Sequence, residues 1–407
     1  MFQRNYISKT ASFLLLIYVL LTLFVGTNVR YFLHLNWKGE GFFQLVHYIS
    51  LPVLLLSAGI SYNKLKFNNT IKFFFWFSIF IIIIQRVVLN RTAGLSFLTN
   101  NVYEPILLLS ILSSLREKYI KQITKIILIF LILESLIAVF EYITGSYIFA
   151  NSETLSNFLL GKDDMRAAAI HGHPLQNAFV VSIIMVCILF SNLKIQYRYI
   201  LYLLGWIALA CFNTRSSILL MGGVLVVGGL LDMKRNKVSV VKRVLSLIIL
   251  VLLGYAAFNF ALSHGMGSRM EIGMDSNDGS SYARFVLIQA FQEMDFSSLL
   301  FGPPEMAGES IMMRFGLVAI ENSFADIILG YGLIFTVIFS IAWVKIFWKT
   351  PAGKMIKIML LLVLFILFNT NNAIMTDCPI LPVAVMSLFC LGREKYSNIG
   401  YIHNKKG

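Results

Sequence analysis

Three arginines stand in settings suited to phosphate chemistry. Arg215 lies in a short polar turn, Thr214-Arg-Ser-Ser217, between two apolar stretches. Arg284 stands in the first turn of an amphipathic segment, and Arg166 just before His171-Gly172-His173-Pro174, at the mouth of another apolar stretch. Arginine binds phosphate through a rigid planar fork of N–H donors, where lysine offers a hydrated point charge. Glu321-Asn322 opens a further apolar stretch, and Asp326 follows about one turn deeper. Several arginines around one diphosphate would hold a lipid-linked sugar and stabilise the departing diphosphate.

Plainer readings compete with this one. An arginine near a helix end also snorkels to lipid headgroups, and Arg30, Arg86 and Arg91 fit that reading best. Glu321 alone reads as a first-turn acid favoured by the helix dipole. His171 and His173 read equally as polar filler before a helix that starts on proline. Glu134 and Glu141 share one face of an apolar stretch, and there a functional acid and a satisfied interhelical bond are both open.

Other chemistries lack their residues. There is no Gly-rich loop ending in Lys-Ser/Thr, no Asp-x-Asp to hold a metal against a sugar nucleotide, and no His/Cys cluster with zinc spacing. Asp275-Ser-Asn-Asp278 lacks the further ligands of a calcium loop and reads as a solvated acidic turn. Neither a metal nor a cofactor is expected. Cys187, Cys211, Cys378 and Cys390 show no paired spacing and read as small hydrophobes.

The elements that must position these residues are membrane helices. The chain is 58% hydrophobic and only 13% charged over 407 residues. Crossing about 30 Å of hydrocarbon takes about 20 apolar residues. Twelve apolar stretches are readable, at roughly 11–27, 41–60, 71–88, 101–115, 123–143, 174–191, 198–212, 216–231, 244–262, 322–344, 355–370 and 376–391. The expectation is one all-α polytopic membrane domain over 1–407, with both termini cytoplasmic and the first stretch retained as a signal anchor. No internal repeat of helix pairs is visible, which disfavours a repeat-built transporter. One large external loop, 263–320, is expected to carry an amphipathic helix from Ser281 to Ser297, lying on the outer face. Stretches 198–212 and 216–231 are expected to be separate helices meeting at Asn213-Thr214-Arg215.

With that orientation the cytoplasmic segments hold 18 Lys and 6 Arg, and the external ones only Lys38 and Lys162 beside eight Arg. Positive charge inside is the topology rule, and it accounts for the net charge of +14 better than nucleic-acid binding does. That rule does not explain why the external cations are arginine.

Four stretches, in order, resemble the bacterial O-antigen ligases and the O-antigen, capsule and exopolysaccharide polymerases. Met165-Arg-Ala-Ala-Ala-Ile-His-Gly-His-Pro-Leu-Gln-Asn-Ala178 is similar to that superfamily's Arg…His-Pro entry to a span. Thr214-Arg-Ser-Ser217 resembles its Ser/Thr-Arg-Ser turn. Tyr282-Ala-Arg284 through Leu300-Phe-Gly302 resembles its loop helix, and Glu321-Asn-Ser-Phe…Gly330-Tyr-Gly332 its His/Glu-Asn opening followed by Gly-x-Gly. The resemblance covers roughly 165–340. Ligases typically carry His where this chain has Glu321, which tilts the resemblance toward a polymerase.

The resemblance implies a metal-independent glycosyltransferase of the bacterial cytoplasmic (inner) membrane. It would join undecaprenyl-diphosphate-linked oligosaccharide repeats at the external face, with Arg215 and Arg284 on the diphosphate. Glu321 would orient or deprotonate the acceptor hydroxyl. Arg166, His171, His173 and Asn322 would line the diphosphate and glycan site. Membrane lipids, a chain-length regulator and a flippase are the implied partners. The alternatives are a ligase that moves finished glycan to lipid A core or protein, and a lipid-oligosaccharide flippase. The flippase reading expects cations inside a central cavity rather than at span ends.

Overall fold

A computed structural model describes residues 6–34, 50–65, 67, 69–85, 95–149, 165–235, 239, 241, 245, 279–303, 310, 313–314, 320, 322–371, 373–375 and 378–393. Among these the chain is all-α. The helices are α1 (Lys9–Phe24), α2 (Thr27–Phe32), α3 (Ser50–Ile60), α4 (Asn69–Ile83), α5 (Leu95–Leu98), α6 (Glu104–Ser113) and α7 (Glu117–Thr144). There follow α8 (Pro174–Leu189), α9 (Ile195–Cys211), α10 (Arg215–Arg235), α11 (Gly279–Glu293), α12 (Phe296–Phe301), α13 (Ser323–Trp348), α14 (Lys354–Thr370) and α15 (Ile380–Leu391). A π-helical turn, Thr99–Tyr103, joins α5 to α6.

Local chemistry sets many of the boundaries. Ser8 Oγ accepts the Ala11 N–H and starts α1, and His173 followed by Pro174 starts α8. Asn322 Oδ1 accepts the Ala325 N–H and starts α13. Gly145, at φ 64°, ends α7 in the left-handed conformation glycine tolerates best. α9 and α10 are separate helices, as expected, broken at Asn213 with φ 51°. The expected single helix 281–297 is instead two, α11 and α12. Asp295 divides them because its carboxylate accepts the Ser298 N–H and caps a new helix. Apart from residue 245, the stretch 244–262 lies outside the described residues.

Glu117–Thr144, Arg215–Lys234 and Ser323–Trp348 are each long and apolar enough to cross a membrane. The burial pattern suits a lipid solvent. α8 is buried from Gln176 to Leu189 and α15 over its whole length, as expected for central helices apolar all round. Around them, α1, α4, α7 and α9 turn large apolar side chains outward, among them Phe13, Trp76, Phe80, Leu136 and Ile200. Such faces match hydrocarbon, where α-helices satisfy their own backbone hydrogen bonds.

Helix ends gather in two tiers. In the upper tier the Ala167 N–H donates to the Cys211 carbonyl, Asn28 Nδ2 to the Ala169 carbonyl, and Asn371 Nδ2 to the Leu175 carbonyl. In the lower tier the Ile7 N–H donates to Ser114, the Gly353 N–H to Gly392, and Asn192 Nδ2 to Arg393. Lys349 Nζ donates to Thr70 Oγ1 there, and Arg393 pairs with Glu117 at 3.0 Å.

Candidate functional site

The segment 165–173 forms a strap across the upper tier, held from below by two acids of α7. Glu141 Oε2 accepts the Ala168 and Ala169 N–H groups at 2.8 and 2.9 Å, and its Oε1 accepts Ile148 N–H at 3.1 Å. Glu134 Oε2 accepts the Ile170 N–H at 3.3 Å. Seven residues on a helix bring the two side chains to one face, so both reach one strand of irregular backbone. Both acids thus bond a loop and not a neighbouring helix, an arrangement that neither of the two readings open for them described. Asn177, one turn into α8, accepts the His171 N–H and donates to the Ala168 carbonyl. Asn28 of α2 holds the Ala169 carbonyl. These contacts fix Ala169 at φ 39° and Gly172 at φ 81°.

The strap carries Arg166 to the α9–α10 turn. Arg166 Nε donates to the Phe212 carbonyl at 3.2 Å, and the Ala167 N–H pairs with Cys211. Phe212 lies three residues before Arg215, the first residue of α10. Two of the three motif arginines therefore share one corner. Tyr147 donates to the Arg166 carbonyl at 3.1 Å. Burial, with the nearby Glu141 charge adding to it, raises the Tyr147 pKa against a smaller lowering by Arg166.

His173 and His171 part company. His173 Nδ1 accepts the Leu175 N–H at 3.2 Å, so that nitrogen is unprotonated and the cap requires the neutral ring. Burial, reinforced by the Arg166 charge, pushes the His173 imidazole down to about 4. His171 is buried at 2% exposure, its ring 5.8 Å from that of Phe130. A Cβ on Gly26 would stand 2.8 Å from His171 Nδ1, so glycine there makes room for the ring. The His171 ring packs inward against Phe130 and Gly26, whereas His173 keeps partial exposure.

Asn371, at the end of α14, ties this corner to the start of α13. Its Nδ2 donates to the Leu175 carbonyl at 3.0 Å, and its own carbonyl accepts the Ser323 N–H at 3.1 Å and the Ser323 hydroxyl. Asn322 Nδ2 reaches the Asn369 carbonyl at 3.4 Å. The N-termini of α8 and α13 thus meet through one residue, Asn371, by its side chain at α8 and its backbone carbonyl at α13, and the positive end of a helix dipole favours anions. Asp326 stands one turn into α13, partly buried. Glu321 lies outside the described residues.

The loop helices pack onto the same helix. Leu287 of α11 clusters with Ile320, Ala325 and Leu329, with Phe291 and Met294 against them. α12 ends where α13 breaks: Gly332 has φ 84°, and a Cβ there would lie 2.5 Å from the Gly302 nitrogen. The Leu300-Phe-Gly302 and Gly330-Tyr-Gly332 stretches are therefore one contact, possible only with glycine at 332. Arg284 belongs to α11, but its side chain lies outside the described residues.

One further arginine, Arg30, differs from expectation. Arg30 does not reach out to headgroups: it is 8% exposed, and its Nη2 donates to Thr27 Oγ1 at 3.2 Å. Its short helix α2 lies against the strap through Asn28, which donates to the Ala169 carbonyl. Arg314 is exposed and paired with Glu293 at the end of α11. Arg86, Arg91 and Arg269 lie outside the described residues. The residues that sequence reasoning missed are Asn28, Asn177 and Asn371. Asn177 and Asn371 carried a signal, as amides beside polar neighbours at the ends of apolar stretches. No protein-family model matches the chain, and no curated protein matches it.

Proposed function

We propose that this membrane protein is a polysaccharide polymerase of the bacterial cytoplasmic membrane, crossing it twelve times with both termini inside and the strap outside. The observation that carries the reading is the Arg166–Phe212 hydrogen bond, which joins two arginine-bearing motifs in one corner. Asn371 links that corner to the Asn322 cap beside Glu321. The substrate is a glycan on undecaprenyl diphosphate. Arg166, Arg215 and Arg284 bind the diphosphate, with the positive dipole ends of α8 and α13 adding to the field.

The reaction is a displacement at the anomeric carbon. An acceptor sugar hydroxyl forms the new C–O bond, the bond to the diphosphate breaks, and the lipid diphosphate leaves as an anion stabilised by the arginines. Glu321 takes the hydroxyl proton. His173, held neutral, and Asn322 offer hydrogen bonds to the glycan. Positioning donor and acceptor together supplies much of the barrier reduction.

The experiment is Arg215→Lys and Arg284→Lys in the producing cell, with expression confirmed and the polysaccharide run on a gel. Loss of the long-chain ladder is expected in both. An unchanged ladder in both overturns the diphosphate role. Deletion of the gene separates polymerase from ligase: single repeats attached to their acceptor support the polymerase, and long polymer left unattached supports the ligase.

A further inference from the structure

The lower tier carries a second feature, far from the strap. α4 and α13 pack through Phe74, whose ring lies 6.0 Å from that of Phe339 and 6.4 Å from that of Trp343. Beside this seam runs an open furrow of about 330 Å3. Its apolar floor is Phe73, Ile338 and Ile341; its polar end is Asn69, Thr70 and Lys345. Phe73 is 60% exposed and Ile341 49%, so in a membrane the floor faces hydrocarbon.

The polar end is built for an anion. Lys345 is exposed, and Lys349, one turn on, gives one proton to Thr70 at 2.9 Å and keeps the rest of its ammonium donors. α4 has no Asp or Glu, and the one acid of α13, Asp326, lies at the opposite end. Both lysines therefore lack a carboxylate on either helix of the furrow. The first-turn N–H groups of α4 add to the same field. A row of apolar side chains that ends in two lysines and the hydroxyl and amide of Thr70 and Asn69 matches an amphiphile with acyl chains and an anionic head.

We propose that this furrow binds one anionic phospholipid of the bilayer, with its phosphate at Lys345, Lys349 and Thr70 and an acyl chain along Phe73, Ile338 and Ile341. The site rests on the chain being a membrane protein and not on the polymerase reading. Basic pockets between membrane helices are known to hold acidic headgroups in this way.

The test is native mass spectrometry of the full chain released from detergent, with phosphatidylglycerol or phosphatidylcholine added. The wild type is expected to retain phosphatidylglycerol preferentially. Lys345→Gln with Lys349→Gln is expected to reduce that preference by roughly 30-fold at low salt, from about one surface-lysine contribution each. Lys354→Gln with Lys357→Gln, which removes the same charge from the same tier, keeps the preference. Ile341→Trp fills the furrow and lowers retention with both lysines present. Equal losses in the two lysine pairs, or no wild-type preference, overturn the proposal. Displacement of the lipid by millimolar inorganic phosphate overturns it too, since the site would then take a free anion.

Discussion

Glu141 and Ala169 lie 28 residues apart, yet the carboxylate accepts the Ala169 backbone N–H at 2.9 Å in the interior, with Ala168 beside it at 2.8 Å. A buried acid in a membrane helix is expensive. Here it substitutes for the partners that an irregular segment would otherwise lack, and so fixes the backbone that presents Arg166 and His173.

Removing that anchor leaves buried N–H groups unpaired. Glu141→Ala is expected to destabilise the protein by about 3 kcal/mol, in line with the loss of hydrogen bonds to a charged group. Glu141→Gln, which keeps an acceptor oxygen, should cost less. Thermal unfolding in detergent checks both, and equal melting temperatures for wild type and Glu141→Ala would refute the anchoring role.

The Gly332 contact gives a paired test. Gly332→Ala must strain a residue at φ 84° and push the α12 backbone away, for a cost of roughly 2–4 kcal/mol. Gly222→Ala, inside α10 with nothing within 4 Å of the new methyl, should instead stabilise by up to about 1 kcal/mol. Melting temperatures of the two variants are expected to move in opposite directions.

His173 predicts a pH dependence. Its folded pKa, about 4, lies below the ordinary value of about 6.5, so the folded state holds fewer protons than the unfolded state between them. Stability from this group is full above about 6.5, falls as the pH drops toward 4, and is constant below. His173→Asn keeps a helix cap without a titrating ring. It should flatten this part of the stability curve, measured as melting temperature from pH 4 to pH 7.

Arg166→Lys tests the corner it shares with Arg215. Lysine keeps the charge but loses the fork that binds Phe212 and a phosphate together. Polymer yield is expected to fall roughly 10- to 100-fold, the equivalent of one charge-assisted hydrogen bond. Protein abundance should change little, and a normal ladder would remove Arg166 from the diphosphate site.

Much of the architecture was legible because hydropathy and capping are local. The start of α8 at Pro174 follows from His173-Pro174, and the α9–α10 break from a polar tripeptide between apolar runs. The split between α11 and α12 was also written locally, in Asp295 three residues before Ser298, but the amphipathic pattern read from Ser281 to Ser297 ran across it and masked it. Arg30 failed for another reason: its burial is set by how its short helix packs, with Asn28 of that helix bonded to Ala169 of the strap, and span position alone says nothing of that packing.

From the residues alone came an all-α chain, most of its helix limits, and Arg166 and Arg215 as cations in polar turns. The tertiary structure added the relationships among them. Glu134 and Glu141 share a face by helical periodicity, but their partners are chosen by which loop folds over that face. His171 and His173 are two residues apart in the same motif, yet one ring packs inward against Phe130 and the other caps α8, because the backbone turns at Gly172 between them. Such partners are set by packing between distant segments, and no local pattern encodes them.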